Sequence, residues 1–130
     1  MSVEEMPAQD RGARKSILVV DDEVLIRLAI ADELRGFGFA VLEAANGDQA
    51  DEILRAHPEI SLVLTDVDMP GSLDGVALAH LIRQQRPDIK VMIMSGWPVQ
   101  QLGTNFVTLR KPFDPAAVAR YVKDSIEPPE

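Results

Sequence analysis

From Ser16 onward, short uninterrupted apolar runs alternate with segments whose apolar residues recur at helical spacing. Ser16–Asp21 (S-I-L-V-V-D) is continuous, β-branched and closed by a carboxylate, the pattern of a strand buried on both faces. Val24–Arg35 follows helical spacing, with Leu25, Leu28, Ala29 and Leu34 assigned to one side, and Gly36 and Gly38 end it. Phe39–Ala44 reads as a second strand. Asn46, with Gln49 three residues on, forms a capping-box pattern that predicts a helix over Gly47–Ala56, closed by Pro58. Ser61–Asp66 (S-L-V-L-T-D) repeats the buried-strand pattern. Met69–Asp74 is rich in turn residues, and Gly75–Gln85 resumes helical spacing through Val76, Leu78, Ala79 and Ile82 until Pro87. Lys90–Ser95 is a fourth strand and Phe106–Leu109 a weaker fifth. Asp114 and Pro115 are an N-cap and first-turn pair opening a last helix to about Ile126.

Strands alternating with helices in this way predict an α/β fold, a parallel sheet covered by helices on both faces. In such sheets ligands bind beyond the carboxyl ends of the strands, where the strand order reverses. The first and third predicted strands end in Asp21–Asp22 and Asp66, the fourth ends in Ser95, and Lys111 follows the fifth. Carboxylates, a hydroxyl and an ammonium therefore converge on one rim. The first residues, up to about Arg14, hold few large apolar side chains and read as a mobile tail.

A chain of 130 residues suits one domain with a core of its own. The absence of cysteine removes disulfides, thiolate metal sites and cysteine nucleophiles. With 21 acidic residues against 13 basic and a net charge of −8, the balance argues against a primary nucleic-acid surface, which needs clustered Lys and Arg. Met1–Ser16 has no apolar signal region, and the apolar stretch Val24–Ala31 is interrupted by Arg27 and too short to span a bilayer. A cytoplasmic protein without direct nucleic-acid binding or membrane insertion is expected.

Carboxylates crowded on one rim raise one another's pKa unless a positive charge sits among them. A hard divalent cation resolves this: Mg²⁺, with Mn²⁺ as the alternative, takes oxygen ligands and pairs carboxylates with phosphate oxygens. Lys111 adds a second positive charge and Ser95 a donor for a phosphoryl oxygen. Carboxylate nucleophile, metal, lysine and hydroxyl together describe phosphoryl transfer to an aspartate. Singly, each residue has a blander reading: a strand-end Asp is more often a cap, a Lys before Pro a solvated side chain, a Ser after a strand a turn cap. Only their occurrence together, at successive strand ends, outweighs those readings.

At these residues the chain resembles the receiver domains of bacterial two-component response regulators. The matching elements are I-L-V-V-D-D-E (Ile17–Glu23), L-T-D-V-D-M-P-G (Leu64–Gly71), D-G (Asp74, Gly75), M-S-G (Met94–Gly96) and K-P-F (Lys111–Phe113). The resemblance divides the chain into a flexible tail over 1–14, a receiver domain over 15–127 and a short tail over 128–130. It implies a flavodoxin-like, doubly wound five-stranded sheet of order 2-1-3-4-5. It also implies that Asp66 accepts a phosphoryl group from a histidine kinase or histidine phosphotransfer protein and helps ligate Mg²⁺. Asp22 would bind the metal directly, Asp21 largely through water, and the backbone carbonyl of Asp68 would complete the set. Ser95 and Lys111 would contact phosphoryl oxygens, and the Lys111–Pro112 bond would be cis. The output would be a conformational change read by an unidentified protein.

The sequence departs from the family pattern in several places. The loop Gly71-Ser72-Leu73 before Asp74-Gly75 is one residue longer than usual. The aromatic switch position, three before the lysine, is Thr108, with Phe106 nearby in a different register, so tyrosine-like rotamer coupling is not expected. Fifteen residues separate Ser95 from Lys111, fewer than usual, and predict a shortened or irregular fourth helix between the fourth and fifth strands. Trp97 follows Ser95 by two residues, where the family's side chain overhangs the acceptor. It is expected either to pack on the short loop or to limit water access to the acyl phosphate, with Asp68 also setting the hydrolysis rate.

A haloacid-dehalogenase-type phosphatase would use the D-x-D pair Asp66 and Asp68, but the pair lies on the third strand and Pro70 follows. An EF-hand loop fails because Pro70 takes a ligand position and Ala77 replaces the closing Glu. An interaction domain with a vestigial site would have lost charged residues that are all present here. A chain that starts at Met1 and ends Pro-rich reads as a stand-alone regulator. The alternatives are a phosphorelay intermediate or phosphate sink, or a receiver cut from a longer protein.

Overall fold

In the computed structural model, which describes residues 15–69, 71, 73–96, 106–111 and 114–126, the apolar runs become five strands. They are β1 (Ser16–Val20), β2 (Ala40–Ala44), β3 (Ile60–Asp66), β4 (Lys90–Ser95) and β5 (Val107–Arg110). Helices α1 (Val24–Gly36), α2 (Gly47–Ala56) and α3 (Gly75–Gln85) connect the first four strands, and α4 (Pro115–Ile126) follows β5. The pairing is parallel throughout, in the order β2-β1-β3-β4-β5. The chain thus steps outward from β1 to β2, then back across β1 to β3. That reversal opens a crevice above the carboxyl ends of β1 and β3.

Alternation along the strands divides the core into two layers. Leu18 and Val20 of β1 pack with Leu54 of α2 and with Leu78 and Ile82 of α3. Ile17 and Val19 face the other way, onto Ile30 and Leu34 of α1 and Val118 and Val122 of α4. Both faces of β1 are covered, which is why all five of its residues are buried and its sequence after Ser16 is uninterruptedly apolar.

Caps fix the helix starts near the rim. Asn46 Oδ1 accepts the Gln49 N–H at 2.8 Å, while Gln49 Oε1 accepts the Ala45 N–H at 2.8 Å. Asp74 Oδ1 accepts the Ala77 N–H at 2.8 Å. At the far end of α1, Gly38 adopts φ +98°, a value that side chains resist, and its N–H bonds the Arg35 carbonyl at 2.9 Å.

Two sequence expectations need correction. Leu25 and Leu28 do not share a buried side with Leu34. Leu25 is 82 % exposed, and the face turned inward carries Ile26, Ile30 and Leu34. Leu34 follows Leu25 by nine residues, about two and a half helical turns, so the two lie on opposite faces. The fifth strand is Val107–Arg110 rather than Phe106–Leu109: Phe106 is buried just before the strand, and Arg110 joins the ladder opposite Ser95. The expectation of a shortened helix between β4 and β5 falls on residues 97–105, and the two terminal tails on 1–14 and 128–130; all lie outside the described residues. No helix among the described residues is long and apolar enough to cross a membrane.

Candidate functional site

The ends of β1, β3, β4 and β5 deliver the polar groups of the rim. Asp21 lies one residue beyond β1, and its N–H continues the ladder to the Ala44 carbonyl of β2 at 3.0 Å. The side chain is thereby held below the surface, fully buried, with Oδ1 accepting the Glu23 N–H at 2.9 Å. Asp22, next along the turn, is exposed. Asp66 closes β3 and is buried, and the following N–H, from Val67, bonds the Met94 carbonyl of β4 at 3.0 Å. Ser95 closes β4 and is buried. Its carbonyl accepts the Lys111 N–H at 2.7 Å, which ties the exit of β5 to the exit of β4. From that anchor the Lys111 side chain reaches across to Asp66, with Nζ 2.8 Å from Oδ1.

One carboxylate oxygen from each of Asp21, Asp22 and Asp66 lies within 4.8 Å of the others. Burial pushes the Asp21 carboxyl up to about 6, against the hydrogen bond from Glu23; Asp66 pushes the same way and Lys111 opposes. Asp66 is also raised, chiefly by burial, although its bond to Lys111 and a backbone hydrogen bond from Asp68 pull it down. Lys111 itself loses water, which alone would lower it, but the Asp66 carboxylate outweighs this and holds it above 10.5.

Within this cluster the buried Oδ2 of Asp21 has no hydrogen-bond partner. An orphaned carboxylate oxygen beside two further carboxylates is costly in a protein interior. A hard cation would satisfy it, and the donor set, all oxygen, fits Mg²⁺. The adjoining cleft is lined by Asp22, Val67, Asp68, Met69 and Asp74, so Asp68 borders the same space as Asp22.

Asp21, Asp22, Asp66 and Lys111 are thus brought into one cluster. Ser95 lies at the end of the neighbouring strand, and Asp68 is exposed at the rim of the cleft. Thr108 stands apart, half-buried on edge strand β5, with its hydroxyl donating to the Phe106 carbonyl at 3.2 Å. Phe106 is held beneath the Arg83 guanidinium, 3.8 Å from the ring centre, and edge-on to His80 at 5.3 Å. Trp97 and Pro112 lie outside the described residues.

Sequence reasoning overlooked Arg27 and Glu43, and named Gly75 only within the Asp74-Gly75 motif and as a helix start. Gly75 opens α3 so close to β3 that a Cβ would collide with the Asp66 carbonyl and come within 2.8 Å of Val67 Cα. Only glycine permits that approach, and the Asp-Gly pair after an acidic loop was the available signal. Arg27 and Glu43 form the other contribution: the Arg27 guanidinium bonds the Asp21 carbonyl at 2.9 Å and Glu43 at 3.1 Å. No local pattern marks that pair, because its members meet only across the crossover between β1 and β2.

The family model described as "Response regulator receiver domain" matches residues 17–123. The chain is 34 % identical over 127 residues to the sensor kinase CckA of Brucella abortus, covering 92 % of this chain but 13 % of that protein. It is 36 % identical over 83 residues to the response regulator receiver protein CpdR of the same organism, covering 64 % of this chain and 68 % of CpdR. The chain therefore spans a small part of the kinase and about two-thirds of the regulator. Among solved structures, the receiver domain of the hybrid histidine kinase CckA is 36 % identical, with a TM-score of 0.73 over 86 % of this chain and 99 % of that one. A response regulator receiver protein from Sinorhizobium medicae is 27 % identical, with a TM-score of 0.77 over 88 % and 96 %.

Proposed function

We propose, from the premise that this chain belongs to the response regulator receiver domain family, that it is a phosphorylation switch loaded at Asp66. A carboxylate oxygen of Asp66 attacks the phosphorus of a phosphohistidine on a histidine kinase or phosphotransfer protein. The P–N bond breaks, and the imidazole leaves as a neutral ring after taking up a proton. Lys111, anchored through its backbone to Ser95, shifts its ammonium from Asp66 Oδ1 to a phosphoryl oxygen, and the Ser95 hydroxyl donates to another. Asp22, Asp66 and the Asp68 carbonyl would hold Mg²⁺, with Asp21 acting largely through water, and the ion would supply neutralisation of charge on the phosphoryl oxygens. The carrying observation is the Lys111–Asp66 pair at 2.8 Å beside the orphaned Asp21 Oδ2.

In this reading Asp68 and Trp97 govern how fast the acyl phosphate is hydrolysed, and Thr108 replaces an aromatic rotamer switch with a residue already bonded to the local backbone. The protein works in the cytoplasm, and a partner protein reads its phosphorylated form. It is not a turnover enzyme: it catalyses only its own loading and unloading.

Acetyl phosphate replaces the kinase in the test. Intact-mass spectrometry should find one phosphoryl group on the wild type with Mg²⁺, and none with EDTA or on Asp66→Asn. Equal labelling of wild type and Asp66→Asn would defeat the assignment, and no labelling of either would favour a vestigial interaction domain.

A further inference from the structure

The turn that carries Asp21 and Asp22 is gripped from one side by a single residue. The Arg27 N–H bonds the Glu23 carbonyl at 3.0 Å, and its guanidinium NH1 bonds the Asp21 carbonyl at 2.9 Å. The first of these is the opening i→i−4 bond of α1, which any residue there would make, whereas the guanidinium bond to Asp21 belongs to Arg27 alone. Its Nε is held at 3.1 Å by Glu43 of β2, whose other oxygen takes Arg35 at 3.1 Å, and Arg35 also bonds the Val41 carbonyl at 3.0 Å. Arg27 and Glu43 are largely buried, with side chains 16 % and 19 % exposed.

This arrangement is more than a helix cap. Glu23, the residue at the cap position of α1, makes no capping bond with its side chain, so the turn's local side-chain restraint is the bond from the Glu23 N–H to Asp21 Oδ1, one of the acidic groups itself. The carboxylates of Asp21, Asp22 and Asp66 lie within 4.8 Å of one another and repel when ionised, so holding them together needs a restraint on the turn. The guanidinium takes hold of the backbone rather than a carboxylate. It therefore fixes where the acidic groups stand while leaving their oxygens available.

We propose that Arg27, oriented by Glu43, is a positioning residue that sets the metal-binding geometry of Asp21 and Asp22. This rests on the Mg²⁺ reading above. The charge of Arg27 and its positioning role predict opposite signs, which makes the inference testable. Deleting a cation near a metal site strengthens cation binding by Coulomb's law. Deleting a group that orients metal ligands weakens it, typically by about tenfold or more.

Isothermal calorimetry of Mg²⁺ with the wild type, Arg27→Met and Arg27→Lys decides between them. The expected result is a Kd raised about tenfold in Arg27→Met. A smaller rise is expected in Arg27→Lys, whose single ammonium keeps the charge but cannot span Asp21 and Glu43. Arg55→Met, which removes a 71 % exposed arginine on α2, serves as the charge control and should leave Kd unchanged. The half-saturating Mg²⁺ concentration for acetyl-phosphate labelling should rise in Arg27→Met by about the same factor as Kd. Urea unfolding without metal reports any purely structural loss separately. If Arg27→Met does not fold, Arg27→Lys carries the measurement. An unchanged or tightened Kd in the Arg27 variants would overturn the inference even if their stability falls. Absence of Mg²⁺ binding by the wild type would overturn the metal reading and this inference with it.

Discussion

Replacing Asp21 by Asn should stabilise the metal-free protein. The carboxyl of Asp21 is raised from 3.8 to about 6 in the folded state, with burial as the leading cause. Between those two values the folded chain holds a proton that the unfolded chain has lost. Stability therefore falls as pH rises through this window, and the deficit is complete above the folded value. A rise of about two pKa units corresponds to about 3 kcal/mol as a ceiling. Solvent at the exposed Asp22 next to it screens part of this, leaving about 1–2 kcal/mol, or roughly 4–10 °C in Tm for a domain of this size. Asn at this position can still accept the Glu23 N–H, and its amide can donate toward the neighbouring carboxylates where Oδ2 now has no partner. Urea unfolding in EDTA, followed by far-UV circular dichroism, should show the gain at about pH 7.5 and lose it at about pH 3, where the carboxyl is mostly protonated in both states. Saturating Mg²⁺ should narrow the gap, because it binds the folded wild type and stabilises it by mass action. An Asn variant no more stable than wild type at the higher pH, or a gain that persists undiminished at the lower, would refute the reasoning.

Gly75→Ala places a methyl against the Asp66 carbonyl and the Val67 backbone, neither of which can rotate away. It should cost about 1–3 kcal/mol in urea unfolding and slow acetyl-phosphate labelling, and unchanged stability would mean that α3 shifts freely. Lys111→Met removes the partner 2.8 Å from Asp66 and leaves the carboxylate cluster without its nearest cation. Labelling should be lost while calorimetric Mg²⁺ affinity rises, and loss of both together would show that Lys111 instead holds the metal-binding geometry.

The strands nearest the site were the most legible part of the sequence. β1, β3 and β4 are covered on both faces, so burial demands continuous apolar runs, and the polar residue ending each run marks the rim. The inward side of α1 was not legible for a related reason. Val24-Leu25-Ile26-Arg27-Leu28-Ala29-Ile30-Ala31 is apolar almost all round, so periodicity offers several candidate stripes. Packing against α4 selects the one through Ile26, Ile30 and Leu34. β5 is an edge strand with a bulky apolar residue just outside it, and its ladder begins where pairing with Met92 begins, not where hydrophobicity does. Arg27 looked like an interruption in an apolar helix, yet it grips the turn holding two of the acidic groups, and its partner Glu43 lies sixteen residues away.

The rim's charges explain why its acidic pair remains under-compensated. Lys111 is committed to Asp66, and Arg27 spends its guanidinium on the Asp21 carbonyl and on Glu43. Neither bonds Asp21 Oδ2, which is buried without a partner. A cationic side chain placed there would remove the penalty that raises Asp21 toward 6, but it would occupy the space a dissociable cation needs. The cluster is therefore better suited to a ligand than to its own stability, a trade typical of functional sites. It also separates two uses of positive charge: arginine acts on the backbone to fix where the carboxylates stand, and lysine acts on the acceptor carboxylate itself. In the proposed switch, placement persists whichever ion is bound, and the Lys111 ammonium, 2.8 Å from Asp66 Oδ1, can exchange that oxygen for a phosphoryl oxygen.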